Sequence, residues 1–102
     1  IVVNALIKES SPESLVVDRV SVAEVTYVLR GKGYNHIQIY MLFEEILAYP
    51  SMAEMSPTDS LALSIFKDTN FDFEDCWLAS CSKINKTKLA TFDKKLLQYL
   101  RI

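Results

Sequence analysis

Apolar residues recur along the chain at two spacings, and each spacing predicts its own kind of element. The β-branched run Leu15-Val16-Val17, ending at Asp18, reads as a short buried strand over 15–17. Ser21 to Glu24 then open a helix whose periodic positions Val22, Val25, Val28 and Leu29 carry it to Arg30, where Gly31 and Gly33 stop it. Asn35 to Gln38 has the spacing of a capping box, ahead of a broadly apolar helix that runs through Leu47 and is closed by Pro50. Residues 52–55 offer a second short strand. Ser56, Pro57 and Asp59 supply an N-cap, an N1 proline and a first-turn acid for a helix through Phe66. In the segment NFDFEDCWLASCS, Asp72 is the cap of a further helix reaching about Ile84. KLATF over 88–92 is a third strand candidate, and Asp93 caps a final short helix, KKLLQYL. The apolar opening IVVNALI reads as a chain that starts within an element, because chain ends are normally exposed.

Strands alternating with helical patterns of 10 to 15 residues predict an α/β domain with a parallel sheet. In such sheets the C-terminal ends of the strands and the N-termini of the following helices share one edge, and ligands bind there.

Composition narrows this picture. A chain of 102 residues is long enough for one packed core and too short for two, so residues 1–102 form a single domain. Half of the residues are hydrophobic, and only two Gly and three Pro occur, which leaves little room for disordered linkers. The longest apolar run, Ile39 to Phe43, falls far short of the roughly 18 residues of a membrane span, and a cytoplasmic location follows. Cys76 and Cys81 lie about 140° apart around a helix and read as reduced thiols. A net charge of −2 excludes the broad electrostatic grip of a nucleic-acid packaging protein, though not a metal-assisted nuclease. The one histidine, His36, excludes acid–base catalysis by two histidines and is expected at the surface. Tyr34, Tyr40, Phe43 and Tyr49 are expected in helix packing.

On this topology three acids converge. Glu24 follows the strand 15–17, Asp93 follows the strand 88–92, and Asp75 opens a helix antiparallel to that last strand, so all three belong to the ligand edge. Gathered carboxylates repel unless protonated or neutralised, and a hard divalent cation such as Mg²⁺ takes oxygen ligands of this kind. Each acid also has an architectural reading: Ser21-x-x-Glu24 fits a capping box, Asp72-x-x-Asp75 mimics one, and Asp93 fits an N-cap.

The segments SVAEVTYVL, FDFEDCWLAS and LATFDKKL, in this order, resemble three acidic motifs of PIN-domain ribonucleases, particularly the VapC-type toxins of toxin–antitoxin pairs. The similarity spans about Leu15 to Leu97, with Asp75 fifty-one residues after Glu24 and Asp93 eighteen further on. The resemblance implies a three-layer α/β/α fold with a parallel sheet. It makes Glu24, Asp75 and Asp93 metal-binding catalytic acids for Mg²⁺ or Mn²⁺, and matches Thr91 to the family's hydroxyl residue two before the last Asp. Lys94 and Lys95, beside that Asp, are placed to touch RNA phosphates. It further implies RNA as substrate, a cognate antitoxin as partner, and a homodimer. Asp72 matches no motif acid and remains a cap. The family's opening strand with its Asp-x-Asn motif has no counterpart, which implies N-terminal truncation and a missing first strand. The function expected is metal-dependent endoribonuclease; the alternatives are a catalytically incomplete PIN-like module that binds protein or RNA, and a structural α/β domain whose acids are only caps.

Overall fold

A computed structural model describes residues 12, 15–85 and 98–100. Four helices span the described residues: α1 (Arg19–Gly31), α2 (His36–Leu47), α3 (Pro57–Asp68) and α4 (Phe73–Asn85). The expected parallel sheet is not there among the described residues. Among the described residues, strand pairing amounts to one isolated parallel bridge between Leu15 and Met52. The Leu15 N–H donates to the Ser51 carbonyl (2.9 Å) and the Ala53 N–H to the Leu15 carbonyl (2.7 Å). The local reason is that the chain has no length to extend the pairing. Asp18 already caps α1, and on the other side the chain turns through 48–51 out of α2. Val16, expected inside a strand buried on both faces, is 76% exposed. The architecture of the described residues is therefore helix on helix, and the α/β reading is corrected to that extent. The third strand candidate, 88–92, lies outside the described residues, as does most of the last helix; residues 98–100 are helical.

Each helix starts where a side chain can satisfy the first free N–H groups. For α1 that cap is Asp18, whose Oδ1 accepts from the Ser21 N–H (2.8 Å), so the helix begins one turn earlier than the Ser21 box predicts. This bond is the main reason the Asp18 carboxyl titrates below its ordinary 3.8. For α2, the Asn35 side chain accepts from the Gln38 N–H (2.8 Å) and the Gln38 side chain accepts from the Asn35 N–H (2.9 Å), which completes the expected capping box. Ser56 accepts from the Asp59 N–H (3.2 Å) ahead of Pro57 in α3. Asp72 accepts from the Asp75 N–H (3.0 Å) at the start of α4. The end of α1 is a Schellman turn. The Tyr34 N–H reaches back to the Leu29 carbonyl (3.1 Å) and the Gly33 N–H to that of Arg30 (3.0 Å). Gly33 takes φ +96° there, a conformation that costs other residues more.

The core is a central antiparallel pair, α3 and α4, with α1 and α2 laid against it. At one end of the pair Phe66 meets Phe73 edge to face (6.4 Å between ring centroids); at the other the Ser80 hydroxyl donates to the Thr58 carbonyl (2.6 Å). Between them Trp77 Nε1 donates to Asp59 Oδ1 (3.1 Å). Val22 and Thr26 of α1 and Ile39 and Phe43 of α2, each pair one helical turn apart, fill the remaining sides. The stripe on α1 thus differs from the expected one: Val22 is buried and Leu29 half-buried, while Val25 and Val28 are exposed. His36, expected at the surface, is half-buried. Its ring stacks on Phe66 (3.8 Å between centroids, 11° between planes) and Nδ1 lies 2.8 Å from the Phe66 carbonyl oxygen. A carbonyl only accepts, so the proton is on Nδ1. Phe43 and Tyr40 pack as expected, whereas Tyr34 and Tyr49 are exposed. Both cysteines are free thiols, and burial pushes that of Cys76 up to about 12.

Candidate functional site

The helix start that moves from Ser21 to Asp18 changes what Glu24 can be. With Arg19 as the first helical residue, Glu24 lies in the second turn of α1, and no acid occupies the first turn. Its capping role is thereby removed. Glu24 is exposed and lines an open groove of about 740 Å³ between α1 and α4. Val20 and Val28, one turn to either side of Glu24, share that groove, as do Glu74 and Trp77 of α4. Arg19 lies over the Trp77 indole (4.0 Å), so a cation, two carboxylates and an aromatic face meet at one surface.

Asp75 occupies the first turn of α4, half-buried, with its N–H held by the Asp72 side chain. Two consecutive acids, Glu74 and Asp75, stand there at the positive end of the helix dipole, a favourable position for either. The two aspartates three apart divide as the sequence suggests on one side: Asp72 is the cap. A group of three or more His, Cys, Asp or Glu side chains arranged to hold a metal ion does not occur among the described residues. The groove beside Glu24 is lined by Glu74 rather than Asp75. Asp93, Thr91, Lys94 and Lys95 lie outside the described residues. Glu24 and Asp75 are carboxylates, the donor type a hard cation takes, and they stand on two helices, α1 and α4, that contact each other.

A family model, the PIN domain, matches residues 2–101. The chain belongs to the PIN domain family. PIN domains are generally metal-dependent nucleases acting on nucleic acids, which makes a nuclease-type function the family's reading of this chain. No curated protein and no solved structure matches it significantly. Among the described residues of this PIN domain no helix is long and apolar enough to cross a membrane.

Sequence reasoning overlooked Glu74, Tyr27 and Trp77 as neighbours of the candidate acid. For Tyr27 the signal was present in the spacing. Val20, Glu24, Tyr27 and Val28 recur at intervals of four, three and one on one face of α1, opposite the buried stripe of Val22 and Thr26. That face holds an aromatic 82% exposed, Tyr27, which a helix turned to bulk water has no packing reason to carry.

Proposed function

We propose that this PIN domain, as a single domain over residues 1–102, is a divalent-metal-dependent endoribonuclease that hydrolyses RNA phosphodiesters and serves as the toxin of a toxin–antitoxin pair. The observation that carries the reading is the position of Glu24: an exposed carboxylate in the second turn of α1, with no cap to make, on a groove bordered by the acid-rich start of α4. Glu24, Asp75 and Asp93 would hold Mg²⁺ or Mn²⁺. A bound ion of this kind polarises a phosphoryl oxygen and eases deprotonation of water. The chain's own residues do the rest. The carboxylates orient the site, Thr91 offers a hydroxyl, and Lys94 and Lys95 offset phosphate charge. A homodimer, a cognate antitoxin and a cytoplasmic location complete the proposal. The exposed apolar side chains around Glu24, Val20 and Val28 among them, favour a second reading as a module that binds a protein or RNA without cutting it.

The two readings separate in one assay. Purified protein with Mn²⁺ should cleave single-stranded RNA and stop when EDTA is added. Glu24→Gln, Asp75→Asn and Asp93→Asn should each lower the rate by about 100-fold or more, in line with loss of several kcal/mol of charge stabilisation. Binding without cleavage, unchanged by metal, selects the module reading.

A further inference from the structure

Directly beside the Glu24 groove lies a second pocket, of about 400 Å³, which shares Ala23, Tyr27 and Glu74 with it. This volume falls in the range of small-ligand sites. Its wall is built from Tyr27 and Arg30 of α1, His36 at the start of α2, Asn70 of the α3–α4 connection, and Asp72 and Glu74 at the start of α4.

The charges on this wall decide what it suits. Asp72 and Glu74 oppose a phosphate, and Arg30 is already engaged, donating through Nη1 to the Tyr34 carbonyl (2.9 Å). The neutral part of a nucleotide is its base, which needs a flat apolar surface and groups that read its polar edge. Tyr27 provides the exposed ring. The Asn70 amide combines donor and acceptor, as base-edge recognition requires. His36, with its proton committed at Nδ1 to the Phe66 carbonyl, presents Nε2 as an acceptor when neutral. Its ring orientation is fixed by the stack on Phe66 rather than left to solvent.

We infer that this pocket receives one unpaired RNA base, stacked on Tyr27 and read by Asn70 and His36, one nucleotide or so away from the phosphate handled at Glu24. The inference rests on the nuclease reading above, and it makes single-stranded RNA the better substrate, because a paired base must first break its pair and unstack to enter. Continuity with the Glu24 groove favours a nucleotide over a protein segment as the occupant.

The test uses Mn²⁺-dependent cleavage of a short single-stranded RNA, together with a set of the same RNA carrying one abasic nucleotide at successive positions. Stacking of a base on an aromatic ring corresponds to about a 5- to 150-fold effect. Tyr27→Ala should therefore raise KM for the intact RNA by a factor in that range, and Tyr27→Phe should recover most of the loss. In the wild type, one abasic position should cost as much as Tyr27→Ala, and that position should cost nothing further in the variant. Equal KM for wild type and Tyr27→Ala, with cleavage intact, overturns the base pocket and leaves the nuclease reading standing. A wild type that neither binds nor cuts any of these RNAs overturns both. Loss of self-association or of a protein partner in Tyr27→Ala, with KM unchanged, assigns the face to protein contact instead.

Discussion

At the residue scale, the caps were legible because capping demands a short list of side chains at a fixed spacing, and the chain supplies them at Asn35, Ser56 and Asp72. The start of α1 was misread because Asp18 and Ser21 stand three apart and each can cap; only the fold shows that Asp18 does so and that Ser21 donates to it. A pH dependence follows. The folded Asp18 carboxyl titrates below 3.8, held there first by the Ser21 backbone N–H, so its contribution is complete above that value and is lost as pH falls through the lower, folded one. Asp18→Asn keeps a good cap at neutral pH and carries no titrating group. The fall in melting temperature between pH 5 and pH 3 should be smaller in Asp18→Asn than in the wild type; an identical fall would refute the assignment. The candidate acids were legible to different degrees. Glu24 and Asp75 stood out through the motif resemblance; Tyr27 is marked only by the spacing that sets it on the Glu24 face of α1, and Glu74 has no mark, since an exposed position on another helix does not show in the sequence which surface it meets.

At the scale of elements, the helices came through with ends within about two residues, because each combines a periodic apolar stripe with a cap. The sheet did not. A three-residue β-branched run reads the same whether it pairs along its length or merely leads into a helix, and what decides is the partner segment. Here Leu15 and Met52 meet in one bridge, and the burial expected of a strand is supplied instead by α3 packing on α4. That pair should dominate stability. Phe66 is 1% exposed, lies under the His36 ring and meets Phe73 edge to face, so truncation opens a cavity at the junction of three helices. Phe66→Ala should cost about 3–5 kcal/mol in urea unfolding. A loss under about 1 kcal/mol would show that α2, α3 and α4 do not share this core.

For the whole molecule, α1 carries Glu24 and α4 carries Asp75, the chain belongs to the PIN domain family, whose members are generally metal-dependent nucleases, and we propose these two acids as metal ligands. Carboxylates gathered without a cation repel, and a cation that binds only the folded chain also stabilises it. The account therefore turns on whether the folded protein binds a divalent ion through these particular acids. The measurement is a calorimetric titration of Mn²⁺ into the protein and into Asp75→Asn. The wild type should bind saturably, and Asp75→Asn should weaken binding by about tenfold or more, a difference of about 1.4 kcal/mol or greater. No saturable binding in the folded wild type, or identical binding in Asp75→Asn, would contradict it.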